Sequence, residues 1–316
     1  MDKPFCTYVE LVQKLRDKKL KIVTEDDEKH VISLLKKYSY FALVSGYKTP
    51  FKKNKTDEYI SNTTIDDILA LYVFDNNLRQ LFFKYIMSVE NNIKSLLSYS
   101  FSEQYGELQS AYLSTNNYNY TMKYQQSINK LIQILTEVVD PQKTQYEYIK
   151  YQIKAHQNVP LWVAIKAVSI GKVSKMYSML KPNIQTKISK EFKGINEKDL
   201  KDMLALLSRY RNVCAHNERL YDYRSNKCQL PHLLVHDILK IPEIKPGHLK
   251  TGQNNLLAVI ITLKYLLDND EFIMFFNEFK TLLNDFKTKT NILQIEKLRK
   301  LMGLNPNWEE IKEVKI

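Results

Sequence analysis

The sequence predicts an all-α protein, and two observations carry that prediction. Its 316 residues include only seven glycines and nine prolines, too few turn formers for a many-stranded β fold. Hydrophobic residues make up 44% of the chain, enough to bury a proper core, and they recur at three- and four-residue steps over long segments.

The elements follow from that periodicity. Thr7 starts a short helix over 8–18 with Val9, Leu11, Val12 and Leu15 turned inward. Thr24 or Asp26 caps a second helix to about residue 40, carrying Val31, Ile32, Leu34 and Leu35. Ser45 to Phe51 reads as a loop entry, followed by a lysine-rich polar connection. Residues 75–101 form the clearest helix, where Leu78, Leu81, Phe82, Tyr85, Ile86, Val89, Ile93, Leu96 and Leu97 keep the period for about seven turns. Arg79 and Glu90 fall on the edge of that stripe, so Glu90 is a candidate to hold a cation or to line a site. The tyrosine- and asparagine-rich stretch 107–123 reads as a loop, its tyrosines either stacking bases or merely lying at the surface. A helix over 124–139 ends before Pro141, and Pro160 opens the next one. Gly171 is expected to interrupt before a helix over 173–180, and a further helix begins near Asn196. After a less regular stretch with three prolines and three histidines (225–252), two strongly apolar helices cover 254–267 and 270–286. A lysine-rich tail with Trp308 closes the chain. These elements divide into an N-terminal helical module (1–60), a helical core (61–290) and a helical tail (291–316).

The most informative segment is 206–224, LLSRYRNVCAHNERLYDYR. The chain holds seven arginines against a background of lysine, and four of them (Arg209, Arg211, Arg219 and Arg224) fall in this window. Guanidinium offers a planar, permanently charged fork that matches phosphate oxygens, which lysine does not reproduce. Leu200, Met203, Leu204, Leu207, Tyr210 and Cys214 mark an amphipathic helix, with Arg211 at the edge of its buried stripe. Asn212 and His216, four apart, share the neighbouring face. Arg211 and His216 stand about 140° apart on an ideal helix and meet around a phosphate only through side-chain reach, fraying of the helix end, or a partner helix. A cation beside the core calls for a carboxylate, Glu90 among them, or a phosphate. The plainer reading keeps Arg211 in an internal ion pair, His216 at a favourable helix end, and Arg219 and Arg224 as solvated loop charges.

Arginine and histidine together fit metal-independent RNA cleavage. That reaction needs a base for the 2′-OH, an acid for the leaving 5′-oxygen and a cation for the charge on phosphorus. A histidine titrates near neutrality and serves as either acid or base. One histidine per chain leaves one role open, which a site shared between two copies would fill.

The remaining composition excludes more than it assigns. The formal charge of +12 favours polyanionic partners, nucleic acid before an anionic membrane surface. No run of 18 apolar residues appears and residues 1–4 open no signal peptide, so the chain reads as cytosolic and without a membrane partner. No phosphate loop of the G-x-x-x-x-G-K-[ST] or G-x-G-x-x-G kind is present. Cys6, Cys214 and Cys228 suit neither a disulfide framework nor zinc. His232-x-x-x-His236 has helical spacing but lacks the glutamate of a metalloprotease helix, so neither metal nor cofactor is expected.

Five blocks in register resemble bacterial abortive-infection proteins of the Abi (AbiD/AbiF) type. They are Lys3-Pro4-Phe5-x-Thr7-Tyr8; Tyr40-x5-Gly46-Tyr47-x-x-Pro50-Phe51; Phe74-Asp75-x-x-Leu78-Arg79; Pro160-Leu161-Trp162 with Gly171; and Arg211-Asn212-x-Cys214-Ala215-His216-x-x-Arg219-Leu220. The resemblance covers roughly residues 3 to 270, and the last block is also similar to the Arg-x4-6-His signature of HEPN-superfamily ribonucleases. It implies a HEPN-like helical bundle and RNA cleavage leaving 2′,3′-cyclic phosphate ends at a composite homodimer site. Arg211 and His216 would be catalytic there, with Asn212 orienting phosphate or His216. It further implies a role in phage defence or as a toxin, restrained by a small RNA. Arg209 and Arg219 are expected to support RNA binding, and so, from its place on the long helix, is Glu90. The alternative is a non-catalytic RNA-binding or phage-sensing helical protein.

Overall fold

The computed structural model describes residues 4–54 and 56–316; Lys3 of the first block lies outside them. The chain is all-α, as its periodicity predicts. Among the described residues fourteen α-helices follow one another: α1 (Tyr8–Asp17), α2 (Glu25–Tyr38), α3 (Ile65–Tyr105), α4 (Gln109–Tyr112), α5 (Gln125–Val139), α6 (Glu147–His156), α7 (Leu161–Ala164), α8 (Ile170–Met179), α9 (Pro182–Ser189), α10 (Glu197–Ala215), α11 (Leu234–Ile238), α12 (Leu256–Leu266), α13 (Asn269–Lys287) and α14 (Ile295–Met302). A small antiparallel hairpin, β1 (Glu243–Lys245) and β2 (His248–Leu249), lies between α11 and α12.

Local chemistry explains the boundaries. Thr7, Thr24 and Thr64 each begin a helix with a reciprocal capping box to Glu10, Asp27 and Asp67. The third box starts α3 ten residues before the apolar period becomes obvious, and the helix then runs for 41 residues to Gly106, which takes φ +85°. α3 is the axis of the molecule, packing against α7, α8, α9, α10, α12 and α13. All eleven residues of α12 are buried, the mark of a helix enclosed on every side. Its one charge, Lys264, passes over the Phe272 ring and brings its ammonium 3.3 Å from the carbonyl of Lys312.

Several segments differ from the sequence reading. The expected loop entry at Ser45 is instead helical, with a π-turn at Phe41–Ser45 and a 3-10 turn at Thr49–Phe51. Gly171 does not interrupt a helix: α8 runs through it. A Cβ there would sit 3.0 Å from the Ser208 hydroxyl, so the missing side chain lets α8 lie close against α10. The tyrosine-rich stretch is partly core. Tyr112 and Tyr118 are buried and donate to the carbonyls of Val159 and Tyr112, which removes them as base-stacking platforms. In the tail, Trp308 is buried against Phe276 and Phe279 of α13.

His236 is a core histidine. Its Nδ1 accepts from the Leu233 N–H at 3.1 Å and its Nε2 faces the Gly252 carbonyl at 2.9 Å, so the ring is neutral with the proton on Nε2. Burial pushes its pKa below the ordinary value of 6.5. As pH falls through about 6.5 the unfolded chain takes up a proton that the folded chain refuses, so stability is lost on the acid side. The unfolding free energy from urea denaturation should therefore drop below pH 6.5, by roughly 1 kcal/mol per pH unit in the window above the folded value. His236→Gln, which keeps a donor and an acceptor, should flatten that dependence; an unchanged slope would assign the loss to another group.

Candidate functional site

α10 carries the arginine–histidine motif and is fixed at both ends. At its start the Asn196 side chain accepts from the Lys198 and Asp199 N–H groups while Asp199 accepts from the Asn196 N–H. Leu200, Met203, Leu204, Leu207, Tyr210 and Cys214 are buried, as the period requires. The other end closes at His216 itself. Asn217 adopts φ +54°, its N–H reaches the Cys214 carbonyl at 3.4 Å, and the Glu218 N–H donates to Val213 at 3.1 Å. This is a Schellman closure with asparagine in the left-handed position. Asn217→Gly should leave the unfolding midpoint nearly unchanged, whereas Asn217→Val should cost roughly 1–2 kcal/mol in urea denaturation. Equal stability of the two variants would show that the closure does not depend on the left-handed residue.

The motif residues occupy three environments. His216 is exposed at the helix C-cap; its backbone N–H bonds back to Asn212, and its ring makes no hydrogen bond among the described residues. Asn212 is exposed one turn earlier. Arg211 is half-buried, its guanidinium 5.6 Å from the centroid of the Phe83 ring of α3. Among the described residues no carboxylate pairs with Arg211, and its buried Nε has no partner. The face of the Phe83 ring is thus the neighbour this guanidinium has beside the core. Arg211 and His216 are about 7.5 Å apart along the axis, on different faces.

The supporting residues separate. Arg209 is exposed on α10. Arg219 is held by structure: it donates through Nε to Asp222 and through Nη1 to the Gly46 carbonyl, both at 2.7 Å. Arg224 donates to the Leu301 carbonyl at 3.3 Å. Glu90 does not hold Arg211. It is buried within α3 and ion-paired to Lys94 at 2.7 Å, one turn along the same helix. Cys214 is buried, and its thiol is pushed up to about 12, so it carries no thiolate at neutral pH.

A second set of residues, which the sequence reading placed at the edge or in a loop, positions the motif. Asp75 is fully buried in α3 and collects four donors. The Tyr47 hydroxyl is at 2.7 Å, Arg79 at 2.5 Å, and the backbone N–H groups of Leu220 and Tyr221 at 3.1 and 2.7 Å. Burial pushes the Asp75 carboxyl upward, while the tyrosine, the guanidinium and the two N–H groups pull it back; since every partner donates, it is held as a carboxylate. Arg79 is buried rather than at an edge and also reaches the Glu218 carbonyl at 3.4 Å. Asp75-x-x-x-Arg79 is an acid–base pair at helical spacing inside an apolar helix, the signal from which this cluster is readable. Three of the five sequence blocks thus meet in space. Gly46-Tyr47, Asp75-Arg79 and Arg219-Leu220 lock the chain that leaves His216 onto α3.

A family model described as Abi-like protein matches residues 33–222, more than half of the chain, and takes in all three of these blocks and the motif. The chain belongs to the Abi-like protein family. Neither the curated proteins nor the solved structures compared with it give a match. The buried cluster and the exposed histidine lie within the matched span, whereas α12, α13, α14 and the hairpin lie outside it. Among the described residues no helix is long and apolar enough to cross a membrane, and no group of three or more His, Cys, Asp or Glu side chains is placed to hold a metal.

Proposed function

We propose that this Abi-like protein is a metal-independent RNA endonuclease of the HEPN kind, acting in phage defence or as a toxin. The observation that carries the reading is Arg211: a half-buried guanidinium with no carboxylate partner among the described residues, two turns or less from an exposed histidine on the same helix end. In the reaction, a histidine takes the proton from a 2′-OH, the oxygen attacks the adjacent phosphorus, and the 5′-oxygen leaves with a proton from the opposite side. Arg211 stabilises the charge that builds on the phosphoryl oxygens, with Asn212 orienting either the phosphate or the imidazole. His216 supplies one proton-transfer group per chain. In-line displacement needs two, so the working enzyme is a homodimer that brings two copies of the helix end to one phosphate. The net charge of +12 supports a polyanionic substrate. Arg209 adds charge on the exposed face, and a small regulatory RNA would be held by the same surface.

The test is incubation of the purified protein with mixed cellular RNA in EDTA, followed by mapping of the new ends. New 2′,3′-cyclic phosphate and 5′-hydroxyl ends are expected. Tight, salt-sensitive RNA binding without new ends would instead support a non-catalytic RNA-binding protein.

A further inference from the structure

A large cavity takes none of the arginine–histidine motif residues into its lining. It has a volume of about 990 Å³, at the upper end of the range for sites that take small molecules, and is open on one side and lined by the β1–β2 hairpin, α14 and the turn leading to Trp308. Its wall carries five permanent cations, Arg224, Lys240, Lys250, Arg299 and Lys300, against one carboxylate, Glu296. Among the described residues Lys240, Lys250 and Lys300 form no ion pair. Arg299 lies 5.8 Å from the Trp308 ring centroid and reaches Glu309 at 3.4 Å, leaving its buried Nε unpartnered. Asn305 donates to the Leu239 carbonyl at 2.7 Å while its buried Oδ1 accepts nothing. The rest of the lining is partly apolar, with Ile244, Leu249 and Leu304 on it.

We infer that this cavity binds a nucleoside polyphosphate. A concave wall of predominantly positive charge focuses its field inward, and a compact polyanion relieves the mutual repulsion of its cations. Spread phosphates suit several point charges at once, and the apolar side of the wall offers cover for a nucleoside. Arg224 belongs to this wall and to the arginine-rich window after α10, so the site adjoins the chain that leaves the motif. The lining lies wholly outside the family-matched residues, which makes the cavity a property of this chain's C-terminal third rather than of the matched span.

Calorimetric titration of the full-length protein with ATP, inorganic tripolyphosphate and an oligoribonucleotide of about 12 nucleotides, in about 150 mM salt, tests this. ATP should bind saturably, and tripolyphosphate at least about tenfold more weakly because the apolar wall goes unused. The Lys250→Glu/Lys300→Glu variant changes exposed side chains, should keep the wild-type unfolding midpoint, and should weaken ATP at least about tenfold. A control pair at a distant surface, Lys154→Glu/Lys172→Glu, should leave ATP binding unchanged. The proposal is overturned by absence of saturable ATP binding, by equal losses in the two variants, or by tripolyphosphate binding as tightly as ATP. Binding of the oligoribonucleotide at these lysines without ATP binding overturns it in favour of an RNA track. None of these outcomes depends on whether the protein cleaves RNA.

Discussion

His216→Ala should abolish RNA cleavage while leaving the fold and RNA binding intact. The imidazole is exposed and makes no hydrogen bond among the described residues, and the helix closure runs through the backbone N–H of His216, which alanine keeps. Removing such a side chain changes stability by about 0.5 kcal/mol or less. Loss of a general acid or base costs roughly 10²–10⁴ in rate. The comparison is therefore a large kinetic effect against an unchanged unfolding midpoint, read from end-mapped RNA in EDTA and from denaturation of the same preparation. Arg211→Lys gives the companion result: the charge stays, the planar fork is lost, and cleavage should fall steeply with little change in RNA affinity. Full cleavage by His216→Ala would remove the histidine from the reaction. If instead neutralising exposed lysines weakens RNA binding and His216→Ala changes nothing, the surface alone carries the function.

The sequence made the helices legible and left the contacts between them illegible, for a physical reason. Helical period and capping are local, so Thr7, Thr24, Asn196 and the stripe of α10 declare themselves within one turn. The same local view made Gly171 look like a break, when its role is set by Ser208 on another helix. Glu90 shows the limit most clearly. Its partner Lys94 lies four residues on along α3 and is readable locally, but that this pair excludes Arg211 of α10 depends on how the two helices pack. The arginine window held a further trap. Arg211, Arg219 and Arg224 look alike as residues, yet Arg219 is tied to Gly46 and Asp222 and Arg224 to Leu301, while among the described residues Arg211 has no oxygen partner. The convergence of Tyr47, Asp75 and Leu220 spans more than 170 residues of chain, and no periodicity encodes it.

That convergence sets the second large effect, on stability. Asp75→Ala should destabilise the protein by about 3–5 kcal/mol, because it strands the buried Arg79 charge and leaves the N–H groups of Leu220 and Tyr221 unpaired. Tyr47→Phe removes one hydroxyl from the same carboxylate and should cost only about 1 kcal/mol. Asp75→Asn falls between them, since the amide keeps one acceptor and turns its NH2 toward a wall of donors. Replacing both charges, as Asp75→Leu/Arg79→Met, should recover part of the loss because no lone charge remains buried, but not all of it, because two backbone donors still lack an acceptor. Urea denaturation of the series measures this order directly, and an Asp75→Ala midpoint within about 0.5 kcal/mol of wild type would show that the carboxylate pins nothing. The order also separates positioning from chemistry at the helix end. Tyr47→Phe keeps the fold and slightly loosens the chain that leaves His216, so its cleavage rate should fall far less than that of His216→Ala. A comparable fall would place the Tyr47–Asp75 contact within the catalytic geometry itself.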